Sequence, residues 1–302
     1  MNQNKGGHSE AYFGNYRDYW WNEDFLELIA NRLELNQYNK VLDAGFGHGH
    51  WSKKLIPYLG SPLKLTGVDK ESKYTESTVL KFKESFDNLD SFEVIQSDVA
   101  ELPFENNTFD LVTCQTLLIH VPDPERALKE MIRVLKPGGL LLCVEPNNGI
   151  QALIQTSLSR QDSLEARLDH VKYAMIVEEG KKKLGRGDSS FGDLLPGVIN
   201  RLGMKNIFVY QSDKAIPLYP PYKKQEQRAA LDQWDDAGMQ QQEGLSDLTY
   251  FEALGTKYLD FYKSYHFKYS FSDARQSYAL QHGEFHSSGG VLLYLVSGVK
   301  PD

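Results

Sequence analysis

The residues best suited to chemistry fall in one stretch of the chain. Val41-Leu42-Asp43-Ala44-Gly45-Phe46-Gly47-His48-Gly49 sets three glycines at alternate positions directly after a β-like run. Gly45 and Gly47 lack the Cβ atoms that would keep a ligand away from the backbone. A helix expected to begin near Gly49 turns free N–H groups toward a carboxylate or phosphate. The spacing G-x-G-x-G breaks the G-x-G-x-x-G pattern of dinucleotide-binding folds. A second run, Leu65-Thr66-Gly67-Val68-Asp69, ends in an acid that can accept both hydroxyl hydrogens of a ribose. A third, Gln96-Ser97-Asp98-Val99, ends in another. There Asp98 can accept from an adenine amino group while Val99 offers its backbone N–H and an apolar wall. One such Asp alone reads as a loop or cap residue. Three elements in order describe an adenosine pocket. His120 and Glu145 follow, each near the end of a further β-like run. His120 has the right ordinary pKa for a general base, or it packs a loop beside the ligand. Glu145 can act as a base, bind a cationic acceptor or hydrogen-bond a neighbouring loop.

The elements that must position these groups alternate regularly from Lys40 to Glu145. The β-like runs are Val41-Leu42-Asp43-Ala44, Leu63 to Asp69, Phe92 to Ser97, Phe109 to Gln115 and Leu140 to Glu145. Helical stretches lie between them at Trp51 to Leu59, Lys73 to Phe86 and Pro124 to Leu135, the last ended by Lys136-Pro137-Gly138-Gly139. This rhythm means βαβ units and a doubly wound α/β fold, whose ligands bind at the carboxyl ends of the strands. Beyond Glu145 the rhythm breaks. Ile150 to Lys183 reads as helical with Leu164, Leu168, Val171 and Met175 on one face. Phe191 to Leu202 then reads as a helix, Lys205 to Gln211 as an alternating strand, and Val291 to Val296 as an interior strand. The expected organisation is an N-terminal helical segment over residues 1–36 and a catalytic domain over 37–302. That domain is interrupted by helical insertions at about 150–188 and 217–286.

On these motifs, Lys40 to Pro146 resembles the core of class I S-adenosylmethionine-dependent methyltransferases, especially the group of ubiquinone- and menaquinone-biosynthesis C-methyltransferases. Leu118-Ile119-His120-Val121-Pro122-Asp123-Pro124-Glu125-Arg126-Ala127-Leu128 and Val134-Leu135-Lys136-Pro137-Gly138-Gly139 extend the likeness. The resemblance implies a Rossmann-like seven-stranded sheet with its last strand antiparallel, and S-adenosyl-L-methionine as co-substrate. It implies that Gly45 and Gly47 line the cofactor, that Asp69, with Lys70 beside it, holds the ribose, and that Asp98 and Val99 hold the adenine. It also puts Gln115 against the methionine portion. A family helix that closes over that end corresponds to Ala11 to Trp21, where Arg17 can pair with the methionine carboxylate or sit as a surface arginine. With the insertions, that helix is expected to form a lid.

The sulfonium is already a strong electrophile, so alignment is the main task. A general base is needed only for a protonated acceptor, and His120 and Glu145 are the candidates. The expected acceptor is a small or medium organic molecule. A net charge of -8 argues against a nucleic-acid partner, and Lys181, Lys182, Lys183 and Arg186 read as a solvated helix end. No apolar run approaches the ~18 residues of a membrane span, and the polar residues Met1 to Glu10 lack a secretory core, so a cytoplasmic protein without membrane partners is expected. Cys114 and Cys143 lie in strand-like runs and build no disulfide framework. No compact set of metal ligands stands at the strand ends. Two other classes compete: a nicotinamide-dependent oxidoreductase, opposed by the glycine spacing and Asp98, and an inactive cofactor-binding interaction protein.

Overall fold

The computed structural model describes residues 15–71, 82, 86–242, 247–290 and 292–302. The helix expected over Lys73 to Phe86 lies outside the described residues except for Phe82 and Phe86, as do Ala11 to Gly14 of the aromatic segment. The chain divides into two compact units. A sheet unit comprises Trp21–Asn147, Gly187–Asp213 and Leu292–Asp302, and a helical unit comprises Met1–Trp20, Asn148–Arg186 and Lys214–Val291.

The sheet unit is a Rossmann-like α/β fold. Its strands are β1 (Lys40–Ala44), β2 (Leu63–Asp69), β3 (Leu89–Gln96), β4 (Phe109–Gln115), β5 (Leu135–Asn147), β6 (Lys205–Gln211) and β7 (Leu292–Val299). They form one seven-stranded sheet in the order β3-β2-β1-β4-β5-β7-β6. β1 to β5 pair in parallel, while β7 runs antiparallel to both neighbours. The central strands are buried on both faces, which is why β4 and β5 read as continuous apolar runs instead of alternating ones. β6 is the edge strand, and its residues are mostly exposed.

α1 (Glu23–Arg32), α2 (His50–Leu55), α3 (Pro124–Val134) and α5 (Leu195–Arg201) belong to this unit, while α4 (Leu164–Lys183) belongs to the helical one. The Asp123 side chain caps α3 by accepting the Arg126 N–H at 2.9 Å, and Pro124 stands in the first turn, where a missing N–H costs nothing. Ala127, Leu128, Met131 and Val134 bury one face of α3. The turn Lys136-Pro137-Gly138-Gly139 does not precede the strand but bulges within it. Leu135 pairs with Phe109, Leu140 with Leu111, and the residues between loop out through Gly138 at φ 72°. Lys300 stitches this corner, donating from Nζ to the carbonyls of Ile132 at 2.8 Å and Leu135 at 2.6 Å. A cation there also meets the negative end of the helix dipole. Pro196 similarly splits the helix expected over Phe191 to Leu202 into a 3-10 turn, Phe191–Asp193, and α5.

The helical unit contains α4, α6 (Gln225–Gln242), α7 (Leu248–Leu254), α8 (Thr256–Lys268) and α9 (Ser272–Gln281). The face of α4 expected to be its packed one is exposed, with Leu164 and Leu168 at 58% and Met175 at 64%. The packed face is polar and aromatic instead. Tyr173 donates to Asp247 at 3.0 Å and stacks on Tyr265 with ring centroids 4.3 Å apart. His170 meets the Tyr265 hydroxyl, and Lys268 and Tyr269 both donate to Asp169 at 2.8 Å. A small apolar core of Ile216, Leu218, Ala230, Ala279 and Phe285 is flanked by Tyr16, Tyr19 and Trp20 of the 3-10 turn Asn15–Tyr19.

Candidate functional site

Because β3, β2, β1, β4 and β5 are parallel neighbours, their carboxyl ends line one edge of the sheet. Along that edge stand Asp98 after β3, Asp69 at the end of β2, the glycine loop after β1, Gln115 at the end of β4 and Glu145 near the end of β5. β1 and β4 flank the point where strand order reverses, where open α/β sheets bind their ligands.

The glycine loop follows β1 tightly. The N–H groups of Gly45 and Phe46 both donate to the Val68 carbonyl, at 2.7 and 2.9 Å. Gly45 and Gly47 adopt φ of 74° and 52°, the left-handed region that favours glycine. A Cβ on Gly45 would run into the Leu117 side chain. The helix after the loop, α2, has only six residues. So short a helix has little macrodipole.

Asp69 is tied to this loop. Its Oδ2 accepts the Gly47 N–H and its Oδ1 the Glu71 N–H, each at 2.9 Å. Burial raises its pKa, while those donors and the nearby His48 pull the other way. The Lys70 N–H adds to these donors, and a carboxylate with about four lone-pair sites still has acceptor capacity for a hydroxyl. Asp98 behaves differently. Its Oδ1 closes its own turn by accepting the Ala100 N–H at 2.9 Å, and its Oδ2 lies 3.3 Å from Lys70 Nζ. The Ala100 donor, with help from Lys70, holds its pKa below the usual carboxylate value. Val99 is buried beside it.

Gln115 is 8% exposed and its Nε2 has no hydrogen-bond partner in the protein. A buried amide donor without a partner is costly unless a ligand satisfies it. Thr116 follows with φ at 51° and a buried hydroxyl that is likewise unpartnered. His120 ends the 3-10 turn Leu118–His120, half-buried, with its N–H donating to the Leu117 carbonyl at 2.9 Å. The Gly187 backbone presses on Ile119 and His120 so closely that a Cβ there has no room. Glu145 is fully buried, and its carboxylate accepts N–H groups of that same turn. Arg17 lies in the helical unit, its guanidinium 5.6 Å from the Trp20 ring centre.

Asp43 had gone without a role in the sequence reading. It is buried in β1, accepts from the Ser52 hydroxyl at 2.6 Å and is pushed up by burial to about 7. An acid just before a glycine loop was the available signal. Nearby, Trp51 Nε1 donates to Thr113 at 2.7 Å, and Trp21 packs on Trp51 with centroids 5.5 Å apart. Trp21 thus belongs to the sheet unit's core. Among the described residues, no group of three or more His, Cys, Asp or Glu could hold a metal ion, and no helix is long and apolar enough to cross a membrane.

Residues 42–143 match the family model described as a methyltransferase domain. The fold agrees across nearly the whole chain. A Bacillus halodurans protein assigned as a methyltransferase superposes with a TM-score of 0.50 at 17% identity, over 93% of this chain and 99% of that one. Residues 42–143 therefore carry a methyltransferase domain. Among curated proteins it is similar to demethylmenaquinone methyltransferase of Staphylococcus aureus strain MRSA252, 42% identical over 106 residues. That match takes in 35% of this chain and 42% of the relative. The corresponding enzyme of strain JH9 is 41% identical over 117 residues, or 39% and 47% of the two chains. The chain therefore spans less than half the length of the curated relatives it matches. The site fits the co-substrate: the loop glycines take the left-handed turn, Asp69 keeps acceptor capacity, and Gln115 keeps a buried donor.

Proposed function

We propose that the chain methylates a small or medium organic acceptor at oxygen, nitrogen or carbon, in the cytoplasm, and that the helical unit selects the acceptor and closes as a lid. The observation that carries this reading is the strand-end edge, on which glycine loop, Asp69, Asp98 and Gln115 stand in the order an adenosine and its methionine tail require. In this reading Gly45 and Gly47 cradle the co-substrate, Asp69 takes the ribose hydroxyls, and Asp98 and Val99 take the adenine, with Lys70 orienting Asp98. Gln115 and Arg17 serve the methionine end. The domain scheme is an N-terminal lid segment over 1–36 and one transferase domain with helical insertions. Bound S-adenosylmethionine supplies an electrophilic methyl group. The protein's own contribution is alignment, which can remove ~7–11 kcal/mol of a barrier.

His120 takes the acceptor's proton where the acceptor is protonated, and Glu145 supports it. The Staphylococcus aureus relatives are named for demethylmenaquinone, which makes such a carbon acceptor a natural first compound to try. The family match ends at residue 143, ahead of Asn148–Arg186 and Lys214–Val291, so it speaks for the co-substrate and leaves the acceptor to those segments. The test is to incubate the protein with methyl-labelled S-adenosylmethionine and a metabolite extract, identify the labelled product, and repeat with His120→Ala. We expect kcat to fall about 10²-fold or more with cofactor affinity nearly intact. Wild-type kcat with poor cofactor binding would make His120 structural. Absence of any labelled product would leave a cofactor-binding protein without transfer activity.

A further inference from the structure

The chain leaves β4 abruptly. The Thr116 N–H still donates to the Val144 carbonyl at 2.8 Å, and Thr116 then swings to φ 51°. The next three N–H groups, those of Leu117, Leu118 and Ile119, lie at the start of a single 3-10 turn. One side chain satisfies all three. Glu145 Oε1 accepts from Leu117 at 2.9 Å and from Leu118 at 2.8 Å, and Oε2 lies 3.4 Å from the Ile119 nitrogen. The acid reaches this turn from the neighbouring strand, so it is not a local cap of the kind Asp123 provides for α3. The turn it holds touches the site at both ends. Leu117 packs on Gly45 of the co-substrate loop, and His120 ends the turn.

We infer that Glu145 is a positioning residue: by anchoring the Leu117–His120 turn, its carboxylate seats Leu117 on Gly45 and so sets the shape of the co-substrate loop. This rests on the methyltransferase reading but not on His120 acting as a base, because it is read out through cofactor affinity.

The ionised carboxylate is the stronger acceptor for these donors. Once protonated, one oxygen carries a hydrogen of its own. Burial pushes Glu145 up to about 7, against the pull of the turn's amides and the Cys114 thiol 3.6 Å away. The groups around it are Cys114 on β4, Cys143 on its own strand, Tyr294 opposite it on β7, Asp193 beside Tyr294 and Asp43 on β1. As the pH falls through about 7 the carboxylate takes up a proton and its hold on the turn weakens.

The experiment compares wild type with Glu145→Gln, which keeps the shape and removes the charge. S-adenosylhomocysteine affinity is measured by calorimetry from pH 6 to 8.5, and amide exchange is followed at Leu117, Leu118 and Ile119. At pH 8 the variant is expected to bind about 10-fold more weakly or worse and to exchange those amides faster. Wild type is expected to lose affinity toward pH 6, while the variant stays flat. Wild-type affinity and protection in Glu145→Gln overturn the inference. So does a pH slope that survives in the variant, which would belong to Asp43 or another group. If the variant does not fold, wild type alone decides: protection of the three amides relative to the rest of the sheet is either lost between pH 8 and 6, or retained, which overturns it.

Discussion

In the sheet unit, strands buried on both faces leave little room for polar side chains in the interior, and the chemistry-bearing groups gather at the carboxyl edge. The helical unit is built the other way round. Beside a small apolar core, its helices meet through hydroxyls, imidazoles and carboxylates as well as buried Phe251, while Leu168, Met175 and Phe267 are exposed. The contrast shows two ways of making a specific structure. Close packing with continuous backbone pairing tolerates few alternatives. A hydrogen-bonded aromatic cluster is directional, and each partner depends on the others being present.

The largest expected effect of breaking this contrast falls on the edge of the sheet. Asp69→Ala removes hydrogen bonds to a charged group worth ~1.5–3 kcal/mol, so the dissociation constant for S-adenosylhomocysteine should rise about 10- to 150-fold. Glu71→Ala, at an exposed neighbour whose backbone N–H is untouched, should bind nearly as wild type. Calorimetry on the two variants separates them, and equal affinities would mean that the ribose is held elsewhere.

A smaller effect is expected inside the helical unit. Tyr173→Phe leaves Asp247 without its hydroxyl donor and should cost about 1 kcal/mol. Burial raises the Asp247 pKa and, more strongly, that of Tyr173, so both groups are neutral or hydrogen-bonded by preference. Faster hydrogen exchange should follow in α7 and α8, with cofactor affinity unchanged. Slower binding of cofactor in place of faster exchange would refute the assignment of this tyrosine to the unit's own cohesion. The smallest effect should come from Leu168→Gln on the exposed face of α4, whose unfolding free energy should stay within about 0.5 kcal/mol of wild type. A loss much larger than that in denaturant titration would show the leucine to be covered in solution.

Much of the sheet unit was legible because its physics is local or strongly patterned. Leu63–Asp69, Phe109–Gln115 and Lys205–Gln211 are strands at the expected residues, since apolar runs of that length bounded by turns suit parallel interiors or alternating edges. Gly45 and Gly47 were legible because a left-handed turn selects glycine over other residues. The bulge inside β5 was not, because Pro137 and Gly138 read equally well as a helix stop. The packed face of α4 was misread for a related reason. Leucines at helical spacing imply a buried stripe only where another apolar surface meets them, and here Tyr173, Tyr265 and His170 made the contact instead.

The sequence by itself determined the succession of strands up to Glu145, the glycine loop and the acids that end β2 and follow β3. Each of these follows from side-chain periodicity or from the backbone freedom of a single residue. Only the tertiary structure decided what the buried acids do. Asp43 meets Ser52 and Glu145 meets the amides of Leu117, Leu118 and Ile119 because the sheet brings them within hydrogen-bond reach. A carboxylate's role depends on the donors it faces, and for Glu145 those donors lie more than twenty-five residues away along the chain.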